Sequence, residues 1–158
     1  MGKFADEEEI YKRCLEQRTS KFGENHPSTL STAVLLAQSQ TAQGKYVEAE
    51  MLLKDCLAKQ TTMRLSDAHT TRTILASTYY KMGNFIEAAA LHKQSLDYSI
   101  SHLGVDHPNT LCTMSCLANN YAAQDKFDEA EKLYWQCLTK ETRVLGEHHP
   151  STLNTSVV

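Results

Sequence analysis

The chain has 158 residues, 41% of them hydrophobic and 22% charged, with a formal net charge of −3 at pH 7. Acidic and basic residues are mixed along it, so there is no basic stripe to follow a phosphate backbone and nucleic acid is not expected as a partner. No apolar run approaches the roughly 18 residues needed to cross a bilayer, and the N-terminus lacks a charged-then-apolar signal pattern. The expectation is a soluble, intracellular protein that does not engage membranes.

The first predicted element is a helix over residues 4–20, with Ile10, Cys14 and Leu15 at helical spacing and Asp6 to Glu9 in its first turns. Acidic residues there complement the positive end of the helix dipole. It closes near Gly23, a residue that tolerates the left-handed conformations found at helix ends. Pro27 then suits a first helical position, and Ser28 or Thr29 is expected to cap the exposed amides. The next helix runs to about Ala42 with Leu30, Ala33, Leu36 and Ala37 inward, and Gln43-Gly44-Lys45 makes a turn. A helix from Tyr46 to about Thr62 follows, its stripe formed by Ala49, Leu52, Leu53, Cys56 and Leu57.

The same pair recurs. Helices over 67–82 (Ile74, Leu75, Ala76, Tyr79) and 85–101 (Ala88, Leu91, Ser95, Leu96) form the second pair. Those over 109–124 (Leu117, Ala118, Tyr121) and 127–143 (Ala130, Leu133, Tyr134, Cys137, Leu138) form the third. One phrase marks the joints: Gly-x-x-His-Pro-x-Thr-Leu stands at Gly23 to Leu30, Gly104 to Leu111 and Gly146 to Leu153. A turn phrase marks the others, with Gly2, Gly44, Gly83 and Asp125 spaced 42, 39 and 42 residues apart. The short interval falls on Arg64 to Thr71, where the Gly and the His-Pro are lost. Self-similarity at this period identifies a repeat array. Residues 1–158 are expected to form a single array segment: a second helix of a partial repeat at 4–20, full repeats at 28–62, 67–101 and 109–143, and the start of a truncated repeat at 151–158. Ala49, Ala88 and Ala130 align with Glu7, and a charge at that helix-crossing position suggests a first helix with no partner before it.

Five cysteines raise the question of disulfides. Cys14, Cys56 and Cys137 occupy one position of three copies, each just before a leucine, which points to a small buried residue and to a reducing compartment.

Helix pairs, a small residue at the crossing point and an aromatic after the turn glycine resemble the tetratricopeptide repeat. The 42-residue period, with Leu-Ala-x-x-Tyr and Gly-Lys-Tyr-x-Glu-Ala-Glu, is similar to the longer subtype seen in kinesin light chains and nephrocystin-type proteins. The resemblance implies an all-α fold, a right-handed α-solenoid of antiparallel helix pairs whose first helices line a concave surface. Leu36-Ala37, Leu75-Ala76 and Leu117-Ala118 match the inner contact, and Tyr79 and Tyr121 match its tyrosine, where the first copy has Gln40. Kinesin light chains carry paired asparagines before the Leu-Ala. This chain has Val34-Leu35, Thr73-Ile74 and Ser115-Cys116 there, a departure in the positions that would set cargo specificity.

The residue after each Leu-Ala, namely Gln38, Ser77 and Asn119, is expected to project into the groove, with Val34, Thr73 and Ser115 beside it. One turn on come Thr41 or Ala42, Tyr80 or Lys81, and Ala122 or Ala123. Amide and hydroxyl groups so placed can bond the backbone of an extended peptide. A clamp for a C-terminal carboxylate is disfavoured, since only Lys81 with Asn119 could serve. His107 with Cys112 and Cys116, or His148 beside His149, falls short of the four ligands of a structural zinc site, and the histidines read as parts of the turn phrase. No phosphate loop, nucleophile elbow or HExxH motif is present, so neither catalysis nor a cofactor is expected.

Two functions from different classes follow. The first is a non-enzymatic scaffold, a fragment of a larger adaptor, that binds a partner peptide or helix along the concave face. The alternative is a structural segment that stacks on further repeats or on a second copy through its solenoid ends.

Overall fold

The computed structural model describes residues 2–146 and Pro150, so the expected repeat start at 151–158 and the third copy of the joint phrase beyond Gly146 lie outside the described residues. Seven helices and no strand occur among the described residues: α1 (Gly2–Phe22), α2 (Pro27–Ala42), α3 (Tyr46–Thr62), α4 (Ala68–Met82), α5 (Phe85–Leu103), α6 (Pro108–Ala122) and α7 (Phe127–Leu145). The described residues form two compact units, one up to Met82 and one from Gly83 onward. In the first, α1 packs on α2, α2 on α3 and α3 on α4; in the second, α5 packs on α6 and α6 on α7. Connections of three to five residues within each unit turn the chain back on itself, so consecutive helices run antiparallel.

Small residues set how closely the helices approach. Leu36-Ala37, Leu75-Ala76 and Leu117-Ala118 are all at most 5% exposed, as are Ala49 on α3, Ala88 on α5 and Ala130 on α7. Leu30, Ala33, Leu53, Cys56, Ser95, Leu96 and Cys137 are buried too, whereas Leu52, Leu57, Leu91, Leu133 and Leu138 are half-buried at the flanks of their stripes. In α1 the expected stripe is wrong at one position: Ile10 is 57% exposed, and Glu8 is buried instead. Residues two apart on a helix point about 200° apart, so in α1, which packs chiefly on α2 among the described helices, the two lie on opposite faces. Glu8 is held by Lys12 at 2.8 Å and Lys45 at 2.6 Å, and those two ammonium groups lower its pKa to about 2.

The joint phrase has a mechanical explanation that differs from the expected cap on Ser28 or Thr29. The cap is the histidine: His26 Nδ1 accepts from the Ser28 N–H, and His107 Nδ1 from the Asn109 N–H, each at 3.2 Å. Proline in the first turn has no N–H to satisfy. The Thr110 hydroxyl donates to the Gly104 carbonyl at 2.8 Å, which closes the loop of the second unit. Gly104 itself lies at φ 92° and ψ 159°, a region open essentially to glycine alone.

The shortened copy uses another joint. Arg64 takes φ 53°, its N–H donating to the Thr61 carbonyl while the Leu65 N–H donates to the Gln60 carbonyl. This paired closure is the Schellman arrangement, found also at Gly44 and at Asp125, where φ is 59°. Three residues could be lost at Arg64 because this tighter ending needs no His-Pro loop. Its cost is a left-handed arginine, about 1–2 kcal/mol.

Candidate functional site

In the first unit α2 and α4 stand side by side over α3 and leave a cleft of about 260 Å³ between them. The Thr41 and Thr78 hydroxyls, 3.0 Å apart and buried, join the two helices at one end. Thr41 is therefore a helix-to-helix contact, and of the two expected candidates only Ala42 is exposed. Toward the other end Val34 and Leu35 from α2 and Ile74 from α4 form apolar walls, with Leu35 43% exposed. Gln38, Ser31 and Thr70 border the opening.

Two side chains that carry acceptors line this space. Gln60 of α3 lines it at 1% exposure, and its Oε1 has no hydrogen-bond partner. A buried acceptor without a donor costs about 1–3 kcal/mol, so its retention asks for a reason. Asp67, the residue before α4, carries a carboxylate at the rim, and the hydroxyls of Ser31 and Ser66 donate to it at 3.5 and 3.4 Å.

Of the groove residues expected from sequence, Val34 and Gln38 line this cleft. On α4 the Thr73 hydroxyl donates to the His69 carbonyl at 3.2 Å and the Ser77 hydroxyl to the Thr73 carbonyl at 3.1 Å, so both are half-buried and engaged with their own helix. Tyr80 and Lys81 are exposed. In the second unit Ser115 contacts the Cys137 sulfur at 3.2 Å, and Asn119 Oδ1 accepts from the Tyr134 hydroxyl, so both are turned toward α7. Gln60 and Asp67 were not expected from sequence. A signal for Gln60 existed: Arg18, Gln60, Ser99 and Glu141 share one repeat position, polar in every copy.

Other charged and sulfur groups have structural partners. Glu50 accepts from Lys54 at 2.6 Å and from the Tyr79 hydroxyl at 3.0 Å, and Lys54 foremost lowers its pKa. The Cys56 thiol points at the Leu30 carbonyl and the Cys137 thiol at the Leu111 carbonyl, the same contact in two copies. Burial pushes the Cys56 thiol up to about 11. Cys112 is exposed and Cys116, one turn on, is half-buried; their mutual hydrogen bond lowers the Cys112 pKa and raises that of Cys116. No three metal-ligating side chains converge among the described residues, and no described helix is long and apolar enough to cross a membrane.

A family model described as the tetratricopeptide repeat matches residues 1–61 and 67–139. Two crystal structures of nearly identical TPR-like repeats from a Podosopora anserina protein named for kinesin light chain are similar to the chain at 26% identity, with TM-scores of 0.86 and 0.85; the match covers 98% of this chain and 74% of each of those. The structure of BtubC (BKLC) from P. vanneervenii shares the fold, with 19% identity and a TM-score of 0.78 over 98% of this chain and 63% of that one. No curated protein matches the sequence.

Proposed function

This chain belongs to the tetratricopeptide repeat family, and on that premise we propose that it is a non-enzymatic interaction scaffold that holds an extended peptide or helix of a partner protein. The partner lies between α2 and α4, against Val34, Leu35 and Ile74, with Gln38 at the border. One observation carries this reading: an open cleft with apolar walls, between two first helices of successive copies, in a fold built from paired helices. Thr73, Ser77, Tyr80 and Lys81 extend the contact along α4. Ser115 and Asn119 act by holding α6 to α7. The chain works as part of a larger adaptor in a reducing, cytoplasmic setting, which the buried free thiols of Cys56 and Cys137 favour.

The test is a random heptapeptide library panned on the isotopically labelled chain, followed by amide-shift mapping with the best peptide. Shifts at Ser31, Val34, Gln38, Thr70 and Ile74 are expected. Failure to enrich any peptide, or shifts confined to other faces, would sink the proposal.

A second reading, association through a solenoid end, is favoured by Trp135. It is 62% exposed on α7 at the repeat position that Lys12, Lys54 and Lys93 occupy in the other copies. At that position Lys54 lies 5.7 Å from the Tyr79 ring of the following helix, so the site faces the next element in the array. If the reading is right, light scattering on dilution shows a dimer dissociating, and Trp135→Lys gives a monomer at every concentration. A wild-type chain that stays monomeric throughout removes it.

A further inference from the structure

We infer that the α2/α4 cleft selects a basic side chain, lysine or arginine, from its partner; this rests on the cleft being the peptide site. The chemistry of the lining makes the choice. Its walls, Val34, Leu35 and Ile74, suit an aliphatic stem. The lining holds no cation; its one charged group is the Asp67 carboxylate, which accepts only from the Ser31 and Ser66 hydroxyls at 3.5 and 3.4 Å, and the buried Gln60 Oε1 has no donor at all. An acidic side chain would be repelled by the Asp67 carboxylate, with no cation in the lining to offset it. A purely apolar one would fill the walls and leave Gln60 Oε1 as it stands, buried and unpaired. A lysine or arginine satisfies both demands, since its stem packs on apolar surface while its head group seeks acceptors.

The repeat itself supplies an internal comparison. At the position of Gln60 the first copy has Arg18, whose guanidinium donates to the Ser28 carbonyl at 2.9 Å and to the Thr32 hydroxyl at 2.6 Å. The second-copy equivalents of Ser28 and Thr32 are Asp67 and Thr71, both of which line the cleft. The first copy thus provides its own cation against the helix that follows. The second has exchanged that cation for a neutral amide and has placed a carboxylate on the rim. The partner's side chain takes the role that Arg18 has one repeat earlier.

The test uses the intact chain and the same random heptapeptide library. The enriched peptides are expected to share one lysine or arginine flanked by apolar residues. Exchange of that residue for norleucine, which keeps the stem and drops the charge, should weaken binding about tenfold or more, as for loss of a charge-assisted hydrogen bond. Gln60→Arg supplies the cation from within and should weaken binding at least as much while raising the urea midpoint. Asp67→Asn, at an exposed rim, should cost only about threefold. The norleucine exchange alters the peptide and is unaffected by how a variant folds. If the enriched peptides bind α2 and α4 but lack a basic residue, or if norleucine costs nothing, the basic specificity is overturned and the peptide cleft stands. If no peptide is enriched, the cleft reading fails and takes this inference with it.

Discussion

Leu111→Ala is expected to destabilise the second unit by about 3 kcal/mol, within the 2–5 kcal/mol spread for buried leucines. Leu111 is 1% exposed and packs with Ala89, Leu96, Met114, Leu117 and Cys137 in one cluster. It closes the joint phrase, so its side chain lies where the loop from α5 enters α6. Truncation removes apolar burial and also leaves a cavity between two helices already set by Leu117 and Ala118, which leaves little room for collapse. Urea unfolding followed by helix circular dichroism, with hydrogen exchange of the α6 amides to locate the loss, gives the measurement. A change below about 1 kcal/mol would place the core of this unit elsewhere.

The second large effect is acid sensitivity from His92. Its ring is 2% exposed, its Nδ1 meets the Asn120 amide at 2.8 Å, and its Nε2 is buried without a partner. Burial lowers its pKa from 6.5 to about 4. Between those values the unfolded chain binds a proton that the folded chain does not, so stability rises with pH there. The contribution is therefore complete above pH 6.5, falls away as the pH drops toward 4, and amounts to about 3 kcal/mol. His92→Leu copies the residue that the repeat places at Leu53 and should flatten this limb of the stability–pH curve. An unchanged slope between pH 4 and 6.5 in that variant would mean that another group carries the acid response.

The positions that could be read from the sequence are those where one requirement recurs in every copy. Leu36-Ala37, Leu75-Ala76 and Leu117-Ala118 are buried at crossing points where only a small residue fits, and the periodic pattern reports this directly. The same holds for the His-Pro joint, though its cap falls on the imidazole where Ser28 or Thr29 was expected, because the hydroxyl preference is strong in general and the local loop overrides it. What the pattern hides are buried polar residues, whether their position is polar in most copies, as at Glu8 and Gln60, or apolar in another, as His92 is against Leu53. Glu8, Gln60 and His92 are all buried, and a hydropathy stripe passes over each of them. That Gln38 and Val34 line the α2/α4 cleft follows from the Leu-Ala register. The floor of the cleft does not, since Gln60 comes from the other helix of the pair and reaches the space only through tertiary packing.

The unequal access of the five thiols makes the native chain addressable without engineering. Cys56 and Cys137 are shielded, Cys14 and Cys116 are partly so, and Cys112 is both exposed and biased toward its thiolate by its neighbour on the next turn. Thiolates rather than thiols react with electrophiles. A maleimide dye supplied at one equivalent is therefore expected on α6 first, while the single tryptophan, Trp135, lies on α7. That pair is a ready-made energy-transfer ruler across the two helices, with which opening of the second unit can be timed in unmodified sequence.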